Sequence, residues 1–324
     1  MRAIQIHEFG DPAAIEVHQV ENPGPPGKGQ VRLDVAGIGV GYFDGLLIRG
    51  DYQIRPDLPF IPGSSLAGTV ESVGNGVEHL EPGMPVAAFA LHGGMAEQVV
   101  LPAASCAPLP PGLDLQAAAN FFISWATSLY GLREIGSVQP GETVLVLGAA
   151  GSTGTTAIEC AKALGARVIA AASTEAKREH CRAHGADLVV DYTSQDWRDQ
   201  VKEATGGKGV DAVYDPVGGS LAESALRLLA PGGRYLVVGF VTGIAKIPLN
   251  LPLLKRCSIH GVNWGGSVMA DPSVVPPVIR TLVEWTLAGK VDPTPTSVHS
   301  LEQAGEAFAA LFGRRSLGGI VIAT

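Results

Sequence analysis

The chain has 324 residues, of which 46% are hydrophobic and 17% are charged, and its formal net charge is −8. This length suggests about two domains. The composition is that of a folded globular protein and excludes a disordered chain. No Lys/Arg block occurs anywhere, so the sequence argues against a nucleic-acid partner.

The four cysteines are scattered and form no CxxC pair: Cys106, Cys160, Cys181 and Cys257. They are typical of reduced thiols rather than of a disulfide framework, and they predict a cytoplasmic protein. Residues 1–7 alternate like a strand and lack the apolar segment of a signal peptide.

Residues 115–132 carry no formal charge and approach the length of a membrane span. Polar residues interrupt the segment, and it contains many alanines. We therefore predict a buried helix at a domain junction, and no membrane partner.

Short alternating segments dominate the first hundred residues, at 2–7, 15–20 and 30–35, with Pro- and Gly-rich turns between them. Many short strands at close intervals predict a compact, barrel-like β domain. The Pro-rich run at 108–112 indicates a domain boundary.

From Val144 onward, apolar strands alternate with helical patterns. Strands are predicted at 144–147, 167–172, 187–190, 210–214, 234–239 and 257–262. Helices are predicted between them at 153–164, 174–184, 195–204 and 220–229. Near-continuous apolar strands that alternate with helices indicate a parallel sheet covered on both faces, the α/β doubly wound dinucleotide fold.

After Asn263 the pattern changes to helices at 274–288 and 301–312 and a last strand at 319–322. That strand needs a partner sheet, which we expect the N-terminal domain to supply. The first domain is therefore predicted to be discontinuous, with residues 1–118 completed by 264–324. The dinucleotide-binding domain, residues 119–263, is inserted into it.

Residues 143–154 form an apolar strand that turns through glycines, spaced three apart, into a helix. A strand that turns tightly into a helix presents free backbone N–H groups and the positive end of the helix dipole, which together receive a pyrophosphate. The candidate residues of this turn are Ala150, Gly151, Ser152, Thr153 and Gly154.

The second strand of such a fold usually ends near an acidic residue that binds the ribose 2′-OH of NAD. Here that position holds Ser173, followed within one helical turn by Lys177 and Arg178. A hydroxyl with nearby cations suits a phosphate group. Because we interpret Glu175 as a residue of the first helical turn, the pattern favours NADPH.

A metal site is not predicted. The cysteines do not cluster, and the eight histidines show no ligand spacing. His180 and His184 lie four residues apart on a predicted helix, where a solvated helix face is the better interpretation.

The chain resembles the medium-chain dehydrogenase/reductase superfamily, in its zinc-free quinone oxidoreductase (zeta-crystallin-like) branch. The motifs that carry the resemblance extend over essentially the whole chain. They are residues 39–44 (GVGYFD), 58–63 (LPFIPG), 70–74 (VESVG), 139–143 (QPGET), 148–154 (GAAGSTG), 185–187 (GAD), 215–219 (DPVGG) and 232–234 (GGR). The resemblance implies a GroES-like β-barrel catalytic domain and a Rossmann domain that binds the cofactor.

The zinc-dependent branch carries Gly-His-Glu where this sequence has Gly63-Ser64-Ser65, and its four-cysteine lobe is missing here. Both departures agree with the prediction of no metal. They weigh against alcohol dehydrogenation, because an alkoxide would lack a Lewis acid.

The resemblance also implies roles for individual residues. Ser173, Lys177 and Tyr192 match the positions that hold the adenosine 2′-phosphate. The positions that match the stretches around the nicotinamide half are Thr127, Gly239, Phe240, Val241 and Asn263. One departure is Gly41, where the family usually has Asn, so the pocket there is expected to be either wider or organised by Tyr42.

Without a metal or an evident nucleophile pair, the expected chemistry is hydride delivery from NADPH to quinones or other α,β-unsaturated carbonyls. Reduction of an enone also needs a proton, for which Tyr52 is the first candidate donor and Tyr42 the second. Both tyrosines could instead be ordinary packed rings with wet hydroxyls. A quinone could take its proton from solvent.

Two other functions stay open: an enoyl thioester reductase acting on CoA or carrier-protein substrates, and a non-catalytic NADPH-binding protein. A basic rim for an acyl-phosphopantetheine would involve Arg49, Arg55, Lys255 and Arg256. The resemblance further implies a homodimer, paired near the apolar stretch at 244–254. The alternative there is a loop packed on its own domain.

Overall fold

We describe a computed structural model of the whole chain, Met1–Thr324. The strands in chain order are β1 (Arg2–Ile4), β2 (Val17–Gln19), β3 (Gln30–Gly39), β4 (Ser65–Val73), β5 (Pro85–Phe89), β6 (Gln98–Pro102), β7 (Cys106–Pro108), β8 (Thr143–Val146), β9 (Arg167–Ala171), β10 (Leu188–Val190), β11 (Val210–Asp215), β12 (Leu229–Val237), β13 (Ser258–Gly261), β14 (Ser297–Ser300) and β15 (Ile320–Ala323).

The α-helices are α1 (Tyr42–Arg49), α2 (Leu115–Ala118), α3 (Ala126–Leu129), α4 (Ser152–Ala163), α5 (Glu175–Ala183), α6 (Trp197–Ala204), α7 (Leu221–Leu226), α8 (Asn250–Lys255), α9 (Trp264–Ala270), α10 (Val275–Leu287) and α11 (Ala304–Phe312). No helix combines the length and the apolar character needed to cross a lipid bilayer.

The chain divides into two compact units. Unit 1 contains Met1–Ser124 and Pro293–Thr324, and unit 2 contains Trp125–Asp292. Both boundaries differ from the predicted domains, and residues 264–292 lie in unit 2 rather than in the first domain. The physical reason is local bonding within unit 2, because Arg133 donates to Thr281 on α10 and the backbone N–H of Asp292 donates to Glu159 on α4.

Unit 1 is built on a seven-stranded sheet in which β3 is the central strand. Burial alternates along its first six residues, Gln30 to Val35, with Val31, Leu33 and Val35 buried, so one face packs on an apolar core. The last strand, β15, pairs antiparallel with β3, as the sequence predicted. The C-terminal segment therefore completes the same sheet as the N-terminal one.

Unit 2 is a six-stranded parallel sheet in the order β10-β9-β8-β11-β12-β13. This is the strand order of the dinucleotide-binding fold, and it confirms the predicted fold class. Strands β8 and β9 are almost wholly buried because helices cover both faces. In such sheets ligands bind at the carboxyl ends of the strands.

The uncharged segment at 115–132 is helical and largely buried, as predicted. It is not one regular helix, since wider π-helical turns at Phe121–Trp125 and Tyr130–Ile135 interrupt it. The boundary between the two units falls inside the first of these turns.

Candidate functional site

The glycine-rich turn connects β8 to α4 at the carboxyl end of the parallel sheet. Gly151 is the N-cap of α4, and the backbone N–H of Thr155 makes the first bond of the helix, to the Gly151 carbonyl at 2.8 Å. The preceding N–H groups of Thr153 and Gly154 therefore belong to the helix end that is open to an anion. Ala149 ties the turn to the next strand by donating to the Ala171 carbonyl at 3.2 Å.

Two glycines of the turn are required by contact. A Cβ on Gly154 would lie 2.4 Å from the Gly148 carbonyl oxygen and 2.7 Å from the Ala149 Cα. Gly148 has a φ of +55°, and a Cβ there would lie 2.6 Å from a Val217 methyl group. Gly154 thus lets α4 pack closely on the turn, and Gly148 permits the left-handed conformation of the turn, which together fit a loop that receives a pyrophosphate.

The predicted adenosine end lies at the same end of the sheet. Ala171 and Val190 are partners in the β9–β10 register, and Ser173 and Tyr192 follow them by two residues each. Thr174 is the N-cap of α5, where its hydroxyl accepts from the backbone N–H of Lys177 at 3.3 Å. Ser173, Lys177 and Tyr192 therefore occupy neighbouring loops and the first turn of α5.

The acidic residue of this region, Glu175, is held by its own helix. Its carboxylate accepts from Arg178 at 2.8 Å and from Arg182 at 2.8 Å, and these bonds hold the pKa of Glu175 below its usual value. Arg178 also pairs with Asp191 at 2.9 Å, beyond the end of β10. Glu175 thus belongs to the first turn of α5, as the sequence indicated. Arg178 connects α5 to the segment after β10 through its ion pair with Asp191.

The predicted nicotinamide residues follow the last two strands of the sheet. Gly239, Phe240 and Val241 come after β12, and Asn263 comes after β13. Phe240 is 53% exposed. Asn263 is also exposed and caps α9, because its side-chain oxygen accepts from the backbone N–H of Gly266 at 3.0 Å.

Thr127, the remaining predicted residue, is half-buried on α3. Its neighbour Ser128 bonds to the carbonyl of Thr153 at 3.0 Å. That bond brings α3 against the first turn of α4.

Sequence reasoning gave no role to Asp215, although it belongs to one of the quoted motifs. Its buried carboxylate accepts from the backbone N–H groups of Val217 at 2.7 Å and Gly218 at 2.9 Å, and from the Tyr235 hydroxyl at 2.6 Å. The loop thus shaped bonds to the segment after β12, since Thr242 donates to the Val217 carbonyl. The Asp-Pro-Val-Gly-Gly run was the available signal, because Asp followed by two glycines favours a tight turn.

In unit 1, the structure places the two candidate tyrosines against different aromatic partners. The Tyr42 ring, in the first turn of α1, lies 4.4 Å from the Phe312 ring. The Tyr52 ring meets Phe43 edge-on at 4.7 Å. Both tyrosines are half-buried.

The space beside Gly41 is filled rather than open. A Cβ on Gly41 would lie 3.1 Å and 3.3 Å from two carbon atoms of Ile123. The Ile123 side chain and the Asp44 carboxylate therefore lie beside the place where the side chain of residue 41 would begin, and the width of the pocket stays a prediction.

A buried acid that the sequence analysis missed lies next to Gly41. The Asp44 carboxylate is fully buried, accepts from the Ser64 hydroxyl at 2.7 Å and accepts from the Gly41 N–H at 3.0 Å. Burial raises the pKa of Asp44 to about 6, and the bond from Ser64 opposes that rise. Only the unusual Gly63-Ser64-Ser65 run hinted at this pair, because the two residues lie 20 positions apart.

His180 and His184 do not form a solvated helix face, which is a correction to the sequence prediction. The His180 imidazole bonds to the Thr155 hydroxyl at 2.9 Å, and His184 bonds to the Glu159 carboxylate at 2.6 Å. Burial lowers the pKa of His180 to about 4. Both rings therefore join α5 to α4. Nowhere in the chain do three or more His, Cys, Asp or Glu side chains come together in a way that could hold a metal ion.

Comparison with known proteins agrees with this architecture. The family model described as "Alcohol dehydrogenase GroES-like domain" matches residues 27–111, and "Zinc-binding dehydrogenase" matches residues 152–284. The fold and these matches define an oxidoreductase of the dehydrogenase class with a dinucleotide-binding unit.

Individual relatives narrow the class. The quinone oxidoreductase-like protein 2 homolog of Nematostella vectensis is 36% identical over 100% of this chain and 89% of its own length. A crystal structure of Escherichia coli quinone oxidoreductase complexed with NADPH is 27% identical, covers 100% of both chains and has a TM-score of 0.92. A phenolphthiocerol/phthiocerol polyketide synthase of Mycobacterium tuberculosis is 31% identical over 98% of this chain, which spans 14% of that protein. The chain therefore belongs to the medium-chain dehydrogenase/reductase family, in its quinone oxidoreductase branch.

Proposed function

We propose that this oxidoreductase uses NADPH to reduce quinones or other α,β-unsaturated carbonyls without zinc. The observation that carries the proposal is the glycine turn at Gly148 and Gly154, in a chain that matches quinone oxidoreductase-like proteins along its whole length. The NADPH held by the Escherichia coli structure supports the choice of cofactor.

NADPH, when bound, supplies the hydride. The first turn of α4 binds the pyrophosphate through Gly151, Ser152, Thr153 and Gly154, with Ala150 in the preceding turn. Ser173, Lys177 and Tyr192 bind the 2′-phosphate, and the engagement of Glu175 by two arginines supports this because the carboxylate is neutralised there. The nicotinamide half is positioned by Thr127, Gly239, Phe240, Val241 and Asn263.

For an enone acceptor, the protein also has to supply a proton. Tyr52 is the proposed donor and Tyr42 the second candidate, since a half-buried phenol can reach substrate with its hydroxyl while its ring stays packed. A quinone needs no such side chain. Tyr52→Phe should therefore lower enone turnover and leave quinone turnover unchanged. Tyr42→Phe makes the same change at the second candidate and should leave enone turnover unchanged if Tyr52 is the donor. Unchanged enone turnover in Tyr52→Phe would remove Tyr52 as the donor.

The acceptor is identified by following NADPH oxidation at its absorbance band with 1,4-quinones, simple enones, enoyl-CoAs or no acceptor. Turnover with quinones or simple enones is the expected result. Turnover with enoyl-CoA alone would overturn the proposal in favour of an enoyl thioester reductase. Absence of turnover with every acceptor would favour a non-catalytic NADPH-binding protein.

The enoyl thioester alternative is kept because of the polyketide synthase relative. Two arginines of the suggested basic rim are already engaged in unit 1. Arg49 pairs with Asp51 and lies 5.7 Å from the Phe312 ring, and Arg55 lies 5.8 Å from the Phe9 ring. These contacts hold both guanidinium groups at the surface of the unit, and a phosphate of a CoA or carrier-protein substrate would have to compete with them.

We also propose a homodimer formed through the outer edge of unit 2. Strand β13 ends the parallel sheet and is paired on one side only. The segment before it exposes apolar side chains, with Ile244, Leu249, Leu253 and Leu254 between 72% and 83% exposed. A stretch packed wholly on its own unit would hide such side chains, whereas here Leu251 is buried and Ala245 and Ile247 are only partly buried against the core of unit 2.

Size-exclusion chromatography with light scattering tests the dimer. Leu253→Glu should produce a monomer, because a charge would be buried in the interface. Leu287→Glu, at an exposed leucine on α10, is the matched control and should stay dimeric. A monomeric wild-type chain would contradict the proposal.

A cytoplasmic location remains a proposal as well. The observation that supports it is that all four cysteines are unpaired thiols.

A further inference from the structure

Three buried hydroxyl groups meet beneath the first turn of α4. The Ser128 Oγ lies 2.7 Å from the Thr156 Oγ1 and 3.1 Å from the Tyr214 hydroxyl. Ser128 and Tyr214 are wholly buried, and Thr156 is 4% exposed. The carbonyl oxygen of Thr153 completes the cluster, 3.0 Å from Ser128 and 3.1 Å from Thr156. The contacts of Ser128 join three separate segments, whereas the contact between Thr156 and the Thr153 carbonyl lies within the first turn of α4.

The direction of these bonds follows from the partners available. Burial raises the pKa of Tyr214, so its hydroxyl stays protonated. Ser128 donates its one proton to the Thr153 carbonyl at 3.0 Å, so the Tyr214 hydroxyl is the donor in its contact with Ser128. The Thr156 hydroxyl lies 3.1 Å from the same carbonyl oxygen.

The Thr153 carbonyl belongs to the same peptide group as the Gly154 N–H. A hydrogen bond accepted by the carbonyl of a peptide group polarises that group and strengthens its N–H as a donor. It also fixes the plane of the peptide, and so the direction of the N–H. Gly154 is the residue whose close contact with Gly148 shapes the turn. The buried hydroxyl groups therefore influence the Gly154 N–H, which is a hydrogen-bond donor at the anion-binding end of α4.

We propose that Ser128 is a positioning residue for the cofactor pyrophosphate. Together with Thr156, it orients and polarises the Thr153–Gly154 peptide group. This inference rests on the proposed use of NADPH. Ser128 touches neither substrate nor cofactor in this role, and it acts through the peptide group that it bonds. Its effect is therefore confined to ligands that carry a pyrophosphate.

Calorimetric titrations of the full chain measure the affinity for two ligands, which distinguish the pyrophosphate of the cofactor from its 2′-phosphate. 2′-Phospho-ADP-ribose carries both the 2′-phosphate and the pyrophosphate, whereas adenosine 2′-monophosphate carries the 2′-phosphate alone. Ser128→Ala should weaken the first ligand roughly five- to tenfold, because the Gly154 N–H is no longer held in its direction and its hydrogen bond to the pyrophosphate is largely lost. Affinity for the second ligand should stay within about twofold of wild type.

Two further variants grade the effect. Thr156→Val is nearly isosteric and leaves Ser128 free to donate directly to the Thr153 carbonyl, so roughly threefold weakening of the pyrophosphate ligand is expected. Tyr214→Phe keeps both donors and should change neither affinity by more than about twofold. Thr286→Val removes a hydroxyl that bonds to Leu282 on α10, and serves as the matched control with no change.

If Ser128 only supports the fold, Ser128→Ala should weaken the binding of both ligands equally. That result would overturn the inference about Ser128 and leave the NADPH proposal intact. Unchanged affinity for both ligands in Ser128→Ala would do the same. If Ser128→Ala does not fold, Thr156→Val carries the test, with selective weakening expected. A wild-type chain that binds neither ligand would overturn the NADPH assignment, and this inference with it.

Discussion

The two units differ in the groups that form their candidate sites, which are backbone donors in one and a buried side chain in the other. In unit 2 the proposed pyrophosphate site uses backbone N–H donors, in a turn shaped by glycine contacts, and the Asp215 carboxylate shapes a neighbouring loop by accepting from two backbone N–H groups. In unit 1 a buried side chain lies at the centre of the bonds beside Gly41, where Asp44 accepts from the Ser64 hydroxyl and from the Gly41 backbone N–H. A backbone site is sensitive to shape, and a side-chain site is sensitive to protonation.

This difference teaches where each unit is vulnerable. A substitution in unit 2 acts by moving the backbone, so its effect appears as lost stability or lost cofactor affinity. A substitution at Asp44 changes a titrating group, so its effect appears as a changed pH dependence. Each variant below tests one side of this comparison.

The largest effect is expected for Asp215→Ala. The change leaves two backbone N–H groups and the Tyr235 hydroxyl without their acceptor in a buried position. We expect the free energy of unfolding to fall by roughly 3–5 kcal/mol in urea titrations. Tyr235→Phe removes one of the three donors and should cost only about 1–2 kcal/mol. Equal losses in the two variants would show that the backbone bonds contribute little.

Gly154→Ala tests the close packing of the turn. The added Cβ would lie 2.4 Å from the Gly148 carbonyl oxygen, so the backbone has to move. The cost of such overpacking is about 1–3 kcal/mol, and NADPH affinity should fall roughly ten- to hundredfold in fluorescence titrations.

Gly151→Ala is the matched control for stability, because its Cβ would lie 3.5 Å from the same oxygen. Its free energy of unfolding should stay within about 0.5 kcal/mol of wild type. A loss of stability equal to that of Gly154→Ala would contradict the steric argument.

Asp44→Asn tests the side-chain centre of unit 1. The pKa of Asp44 is raised from 3.8 to about 6, so the fold favours the protonated carboxyl. Its contribution to stability is therefore fully present below pH 3.8 and is lost as the pH rises through about 6. The free energy of unfolding of wild type, relative to that of the variant, should fall across this window by roughly 2–3 kcal/mol.

Ser64→Ala sharpens that measurement. The bond from Ser64 lowers the pKa of Asp44, so its removal should shift the pH window upward. Urea titrations at several pH values measure both variants. A difference between wild type and Asp44→Asn that is constant with pH would contradict the buried-acid assignment.

The smallest effect is expected for Lys177→Ala, which tests the side chains that are proposed to bind the 2′-phosphate. Loss of the cation should raise the KM for NADPH about tenfold, the value of a charge-assisted hydrogen bond. The KM for NADH should change by less than about twofold, because NADH lacks the 2′-phosphate. Lys202→Ala, at a surface lysine paired with Asp199, is the control. Equal effects on both cofactors would contradict the 2′-phosphate assignment.

Much of unit 2 could be predicted from the sequence alone. The alternation of apolar strands and helices predicted the doubly wound sheet, and the glycine spacing predicted the turn at 148–154. Ser173 and Lys177 could be placed after the second strand of the sheet for the same reason, whereas Tyr192 was named only by the family resemblance. These features depend on local patterns, because strand period, helix caps and glycine conformations are decided within a few residues.

The tertiary structure decided what depends on distant segments. The partners Asp44 and Ser64 lie 20 positions apart, and Ser128 and Tyr214 lie 86 positions apart. Likewise, only the packed fold showed that Ile123 fills the space beside Gly41, that His180 and His184 join two helices, and that residues 264–292 lie in unit 2. A buried hydrogen bond exists only when folding brings both of its groups together and removes water from them, and no local pattern records that event.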